Sequence, residues 1–429
     1  MRVLLVEPHA DGLLDIAIRA GNLGHEVLYH CRDYDQHKQP VGRGLIERAP
    51  DWRERMRWAD LCILGAADYA MAEFDRWRAM GVPIIGGGVD SALWESDRAY
   101  GMGIFKKAGI PVLPFREFTD YDAAIRYVKQ HDQPYASKPS GKCDDKALSY
   151  VAKEPRDLIY MLERWRRAGK RQGLEFILQE KVEGVEFAVG AWFGPGGFAP
   201  GWELNWEHKK LMAGNLGVNC GEMGSVLCYV ARDKIADKVL KPLESQLERL
   251  GYTGNIDVNC IVDDDGTPWP LEFTMRCGWP AFNIETALFD CDFVEFLAGL
   301  AAGSPPRRPH RLNEVAMGLV LAHGDFPHSH MTRREIVGVP IWDVSPDDDD
   351  MHFAQAMMDG DHLATAGDYV LIATGVGDNV REARERAYRA IDRPKLPTEP
   401  FWRPDIGLRL RRDLDRLHAN GYAKDVSYS

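Results

Sequence analysis

The chain of 429 residues contains no apolar run long enough for a helical membrane span, which excludes that class. It contains no Cys-x-x-Cys pair. Its eight cysteines, at 31, 62, 143, 220, 228, 260, 277 and 291, are dispersed. That usage fits reduced thiols of a cytoplasmic protein rather than a zinc site or a disulfide framework. Positive charge is not in excess: the formal net charge is -12, which argues against a nucleic-acid sleeve or an anionic membrane surface. The amino terminus, MRVLLVEPHADG, opens as a strand and lacks the pattern of a signal peptide. No internal repeat or low-complexity segment stands out. The first turn, Glu7 to Gly12, has no Gly-x-Gly-x-x-Gly fingerprint, so dinucleotide binding is unsupported. His9 and Asp11 in that turn face either solvent or a ligand.

What is present is the composition of a globular protein, 45% hydrophobic and 28% charged, in a chain long enough for two or three cores. Short apolar runs at 2–6, 25–30, 61–65 and 83–85 alternate with helical patterns at 13–23, 51–59 and 69–80. Such alternation predicts a parallel sheet with helical crossovers, whose ligands bind beyond the carboxyl ends of the strands. Further helices are expected at 96–108, 121–130 and 156–167, and a long one at 232–250. Composition shifts after Gly303-Ser304-Pro305-Pro306, a boundary signal. The expected fold class is therefore α/β and α+β: an N-terminal parallel α/β domain (1–98), a central domain (99–305) with a smaller subdomain at about 111–187, and a C-terminal α+β cap (306–429). In that cap, strands at 314–322 and 369–374 precede a helix at 379–391.

The chemistry concentrates between Gly254 and Ala281. Two β-branched or apolar runs flank Asp263-Asp264-Asp265-Gly266-Thr267-Pro268, the pattern of a β-hairpin. Asp257 and Glu272 stand on its strands, where carboxylates are costly to bury unless neutralised. Arg276 is one candidate partner and a divalent cation held by both acids is the other. Lys138 ends a strand and is followed by Lys142-Cys143-Asp144-Asp145-Lys146, a lysine-flanked tip that is either a solvated loop or a phosphate cover. The Gln179-Glu180-Lys181-Val182 run offers backbone donors and acceptors to a planar base, with Glu186 beyond it as an acceptor for ribose hydroxyls. Asn219-Cys220-Gly221-Glu222-Met223-Gly224 is a glycine-punctuated loop of the kind that presents N–H groups to anions.

In this order the motifs resemble those of the ATP-grasp ligases, and specifically of the glycinamide ribonucleotide synthetase family. Lys138-Pro139-Ser140-Gly141 with Lys146 resembles the family's Lys-x-x-Gly…Lys spacing, and 179–186 its adenine hinge and ribose glutamate. His208-Lys209-Lys210 resembles its His-Lys-Arg segment, 219–224 its Asn-Thr-Gly-Gly-Met-Gly loop, and 271–280 its Leu-Glu-Phe-Asn-x-Arg-Phe-Gly-Asp-Pro signature. The tail matches too, through Phe401-Trp402-Arg403-Pro404-Asp405-Ile406-Gly407. The resemblance implies a central ATP-grasp fold and an ADP-forming ligase that joins an amino acid such as glycine to a sugar- or nucleotide-linked amine, with ATP and Mg²⁺ (or Mn²⁺) as cofactors. It implies Arg276, Lys209 and Lys146 as catalytic residues. Arg98, Lys138, Lys146, Glu180, Lys181, Val182 and Glu186 would hold ATP, and Asp257, Glu272 and Thr274 the metal. His208, Lys209, Asn219, Gly221, Glu222, Arg276 and Trp279 would face the substrates. The partners implied are small molecules, in a cytoplasmic monomer or homodimer. The chain departs from the family pattern at Arg98 (usually Lys), Thr274 (usually Asn), Trp279 and Ala281 (usually Asp and Glu), in the cover loop at 143–147, and in the first turn. The expectation is retained ATP chemistry with altered acceptor residues; the family's own amine and a catalytically silent binding protein are the alternatives.

Overall fold

The computed structural model describes the chain except for residues 10–11, 33–39, 141–148, 170–174, 329 and 332, and the side chains of 333 and 334. The expected cover loop, with Lys146, and Asp11 of the first turn therefore lie outside the described residues. Strands β1 (Arg2–Glu7), β2 (Glu26–Cys31), β3 (Leu61–Leu64) and β4 (Ile84–Ile85) form a parallel sheet in the order β2-β1-β3-β4. This is the crossover sheet that the alternating pattern predicts. The expected helix at 51–59 is only a 3-10 turn, Trp52–Arg55, capped by Asp51. Trp52 is fully buried and stacks on Phe74, so one aromatic anchor does what an amphipathic helix would have done.

A second sheet contains β5 (Phe115–Phe118), β6 (Tyr135–Ser140), β7 (Tyr150–Val151) and β8 (Glu175–Glu180), in the order β5-β8-β6-β7. Two helices back it. Tyr121–His131 starts where the Asp120 carboxylate accepts from Ala123 N–H at 2.7 Å, and it buries Tyr121, Ala124, Ile125 and Val128, one face at helical spacing. Pro155–Arg167 adds Leu158, Leu162 and Trp165 to the same small core.

The central sheet carries the site. Its strands are β9 (Val185–Gly194), β10 (Gly197–Phe198), β11 (Trp202–Glu207), β14 (Gly224–Val230), β15 (Gly254–Val262), β16 (Pro268–Thr274), β17 (Val315–Ala322), β18 (Met351–Phe353) and β21 (Tyr369–Gly377); two hairpins, β12 (Lys210–Met212) with β13 (Leu216–Asn219) and β19 (Ala356–Asp359) with β20 (His362–Thr365), stand off it. The order is β16-β15-β9-β11-β14-β17-β21-β18, with β10 paired to β9. The strands β17, β21 and β18 of the C-terminal segment thus continue the sheet begun by β9. The helix Val380–Ile391 packs so closely on β21 that a Cβ at Gly375 would meet the Ala387 nitrogen at 2.2 Å.

The helix expected at 96–108 is Arg98–Lys107; a separate helix, Val89–Ser96, precedes it and ends at Asp97, whose extended ψ of 102° lets its carboxylate cap the second through Tyr100 N–H. Another expected helix is divided. The long helix at 232–250 is Lys234–Val239, a 3-10 turn Lys241–Leu243, and Glu244–Leu250. Pro242 lacks the N–H a continuous helix would need, and its ring crowds the preceding turn.

Candidate functional site

The hairpin β15–β16 exists as the sequence suggests. Asp263 closes its turn by accepting from Thr267 N–H at 2.8 Å and from the Trp269 indole at 2.8 Å. Asp257 pairs with Thr274 and Asn259 with Glu272. Side chains two apart on a strand share a face, so Asp257, Asn259, Thr274 and Glu272 stand together on one side of the hairpin. Diagonal neighbours of this kind have Cα atoms about 7–8 Å apart.

Two cations reach Glu272. Arg98 Nη2 lies 2.5 Å from its Oε2 and Lys209 Nζ 3.8 Å from its Oε1. The break at Asp97 places Arg98 at the start of its helix, beside this carboxylate. Lys209 is the hub: its ammonium also donates to Glu186 at 2.9 Å and to Asn259 Oδ1 at 3.3 Å, and lies 3.1 Å from Glu207. Burial pulls the Lys209 pKa down, but Glu186, Glu207 and Glu272 outweigh it and hold it well above the ordinary lysine value. Lys209 in turn keeps Glu186 below the usual carboxylate range. Lys138 projects from β6 of the second sheet. Burial lowers it to about 8, with Glu272 opposing that shift and Arg98 and Lys209 adding to it. A lysine from one sheet, a glutamate from β9, and a glutamate from β16 therefore converge around Lys209.

Asp257 faces a more acidic quarter. Burial, then Glu207 and Glu203, push its carboxyl well above the ordinary value, and both its oxygens are buried without a hydrogen-bond partner among the described residues. Glu203 is raised to about 8 by burial and by Glu285. An orphaned buried carboxylate on the same face as Glu272 is what a divalent cation would satisfy, so the donor set fits Mg²⁺. No group of three or more His, Cys, Asp or Glu is arranged to hold a metal among the described residues. A cation here would thus take one or two carboxylates and complete its shell with phosphate oxygens and water, the usual habit of Mg²⁺.

Glu180 ends β8, and Lys181 and Val182 lie in the link to β9. Gly184 in that link has no room for a side chain, because a Cβ would meet the Val262 carbonyl oxygen at 2.2 Å. Arg276 is engaged by Glu95 at 3.1 Å. Trp279 packs its ring on Tyr369, 4.6 Å between centroids. Asn219 pairs with Lys210 at the base of the β12–β13 hairpin. Gly221 turns there with φ of 84°, and the buried Glu222 accepts from the Ser225 hydroxyl. His208 is buried, 2% exposed, and accepts from Gly407 N–H at 3.2 Å. Sequence reading misses Glu207 and Asn259, although each stands beside a motif residue on a strand. It also misses Glu95 and Arg409, for which no local pattern exists.

A cavity of about 650 Å³ lies elsewhere, lined by Arg19, Arg311 and Arg393 among others. Those three are tied to Asp15, Glu314, and Asp348 with Asp350. No helix among the described residues is long and apolar enough to cross a membrane. The seven described cysteines are free thiols.

A small antiparallel sheet facing a large one, with lysine on the first and paired acids on a hairpin of the second, defines the ATP-grasp class. Comparison with known proteins agrees: the phosphoribosylglycinamide synthetase ATP-grasp (A) domain matches residues 96–282, and the C domain of the same enzyme matches 316–409. The chain belongs to the ATP-grasp superfamily and is, within it, phosphoribosylglycinamide synthetase-like. It is 29% identical to the phosphoribosylamine–glycine ligase of Allochromatium vinosum over 389 residues, covering 85% of this chain and 86% of that one. The corresponding ligase of Salmonella typhimurium is 26% identical over 366 residues, with 82% and 83% covered. Among solved structures, phosphoribosylamine–glycine ligase from Thermotoga maritima superposes with a TM-score of 0.74 at 21% identity, covering 95% of this chain and all of that one. A biotin carboxylase from Campylobacter jejuni shares the fold, with a TM-score of 0.67 at 12% identity and 98% and 97% covered.

Proposed function

We propose that the protein is an ATP-dependent, ADP-forming carboxylate–amine ligase working through an acyl phosphate. The observation that carries this reading is the convergence of Lys138, Glu186 and Glu272, from three separate strands, around Lys209. A carboxylate oxygen of the acid substrate attacks the γ-phosphorus and ADP leaves. The amine nitrogen then attacks the acyl carbon, phosphate departs, and the nitrogen gives up a proton. Phosphoryl transfer asks chiefly for positioning and charge neutralisation. Lys138 faces the phosphates from the small sheet, with Arg98 beside it and Lys146 assigned to the same task. Glu180, Lys181 and Val182 bind the base, and Glu186 the ribose. Glu272, with Asp257 and Thr274, would hold Mg²⁺, which when bound neutralises charge on the phosphate oxygens. Arg276, oriented by Glu95, holds the reacting carboxylate as a fork.

The named relatives support glycine and phosphoribosylamine as the substrate pair better than the altered acceptor that the sequence departures suggest. The packing of Trp279 on Tyr369, where the family has an aspartate, is the specific observation favouring a changed acceptor. Magnesium-dependent ADP release separates the two readings. Turnover with glycine only when phosphoribosylamine is present supports the first; turnover only with another amine supports the second. Binding of ATP without ADP release under any pair would sink both. On this reading the protein acts on small soluble substrates in the cytoplasm, as a monomer or homodimer.

A lysine lowered to about 8 has a consequence for ATP binding. Above pH 8 the ligand-free protein holds Lys138 largely neutral, while bound phosphates favour its charged form. Nucleotide binding between about pH 8 and 10 is therefore expected to take up a proton. Titration calorimetry in buffers of different ionisation enthalpy measures it, and Lys138→Met should remove it.

A further inference from the structure

The strands β9 and β11 pair as far as Ala188 with Asn205. Two residues further along that register the partners would be Glu186 and Glu207. There the pairing stops, and the Lys209 ammonium sits between their carboxylates, 2.9 Å from Glu186 and 3.1 Å from Glu207. Something must hold the parted strand ends, because a splayed pair carries two backbone carbonyls that the ladder no longer serves. Arg409 does so: Nη1 donates to the Glu186 carbonyl at 3.0 Å and Nη2 to the Glu207 carbonyl at 3.2 Å. Gly407 N–H donates to His208 Nε2 at 3.2 Å, and Arg403 Nη1 to the Lys210 carbonyl at 2.9 Å. The residues on both sides of Lys209 are thus gripped by one turn roughly two hundred positions away in sequence.

The turn is itself fixed. Arg403 is 2% exposed; it is held by Asp405 at 2.6 and 3.0 Å and donates to Asn215 Oδ1 at 2.7 Å. Arg409 is anchored by Asp413 at 3.0 Å. Gly407 has φ of 80°, and a Cβ there would lie 2.4 Å from Met317 Cε, so glycine presents that N–H where other residues would be strained. Because Gly407 N–H can only donate, His208 Nε2 must carry a lone pair, which makes the ring neutral with its proton on Nδ1. Burial, with Arg409 and Arg403 nearby, lowers His208 to about 3, in keeping with that form.

We infer that Arg403 and Arg409 are positioning residues: the C-terminal turn between them keeps the β9 and β11 ends apart at the spacing that seats Lys209 between Glu186 and Glu207. The inference rests on the ligase reading only for what Lys209 does, and its test needs no substrate. Lys209 in the folded wild type should resist reductive methylation, because its ammonium is held between Glu186 at 2.9 Å and Glu207 at 3.1 Å. In Arg409→Gln the carboxylates drift from it. Labelling of the freed amine then rises severalfold, read by mass spectrometry of the Lys209 peptide with other lysines as internal standards. Arg403→Gln should act in the same direction. Arg409→Lys should not restore protection, since one ammonium cannot span two carbonyls in the guanidinium's fork geometry. Wild-type labelling of Lys209 in a folded Arg409→Gln, or full protection in Arg409→Lys, overturns the inference. If Arg409→Gln does not fold, the Arg403→Gln and Arg409→Lys comparisons decide it. ADP release measured on the same samples tests the ligase reading separately.

Discussion

Replacing Lys138 with methionine is expected to lower ADP release by on the order of 10³-fold while leaving the fold intact. The size follows from what the ammonium does. Removing one preorganised charge from a phosphoryl-transfer or oxyanion site costs on the order of 10²–10³ in rate or more, and this lysine is the described cation on the small-sheet side of the site. The intact fold follows from its cost in the ligand-free protein. Burial lowers Lys138 to about 8 from 10.5, so at pH 7 the charged form is disfavoured in the folded state relative to the unfolded one. Between pH 8 and 10.5 the unfolded chain binds more protons at this group, and its contribution to stability rises with pH through that window. Methionine, of similar length and without charge, removes the penalty. The thermal midpoint of Lys138→Met should therefore equal or exceed that of the wild type at pH 7, and the difference should shrink towards pH 10.5. Near-normal ADP release in a well-folded Lys138→Met would remove Lys138 from the ATP site. A sharply lower midpoint at pH 7 would show that it is a structural cation instead.

How much of this was legible in the sequence depends on the range of each interaction. The β15–β16 hairpin was, because its turn chemistry is local: three aspartates and a glycine bracket it, and Asp263 closes it through its own neighbours. The N-terminal crossover sheet was legible for the same reason, from alternation of short apolar runs with helical patterns. The helix expected at 96–108 runs from Arg98 to Lys107, and the helix Val89–Ser96 before it was not legible. Asp97 ends one and caps the next, and Ser140, from another sheet, donates to its carboxylate at 3.1 Å. The span 232–250 carries a visible break signal in Pro242. In the site, Lys138, Glu186, Lys209 and Glu272 come together, but Asn259 and Glu207 become legible only once strand register is known, since a partner across a ladder leaves no mark on its own segment. Arg409 is the extreme case: nothing near position 409 says that its guanidinium ends at the carbonyls of Glu186 and Glu207.

Asp257→Asn and Glu272→Gln should separate along opposite axes. Both are expected to depress magnesium-dependent ADP release, Glu272→Gln by on the order of 10²–10³-fold, because each removes a carboxylate that would hold the cation. Their effects on the metal-free fold should differ. Glu272 is paired with Arg98 at 2.5 Å and reached by Lys209 at 3.8 Å; neutralising it takes the close carboxylate from Arg98 and one of three acids from Lys209, and loss of one partner from such a pair is destabilising. Asp257 is the reverse. Burial and then Glu207 and Glu203 hold its carboxyl well above 3.8, so without metal the folded protein binds a proton there that the unfolded chain releases above about pH 4. Stability from this group falls as pH rises from 3.8 towards the folded value. Asparagine removes that penalty, and Asp257→Asn should melt higher than the wild type near pH 7 without Mg²⁺, with the gain vanishing below pH 4. Added Mg²⁺ or Mn²⁺ should then raise the wild-type midpoint and leave the Asp257→Asn midpoint nearly unmoved, because a cation that binds only the folded state stabilises in proportion to its occupancy. If Asp257→Asn melts lower than the wild type at pH 7 and still responds fully to the cation, Asp257 is a structural acid and the metal belongs to Glu272 with Asn259 and Thr274. The pairing of opposite signs in one residue, costly to the empty fold and needed by the loaded one, is the signature of a carboxylate kept for a cation rather than for packing.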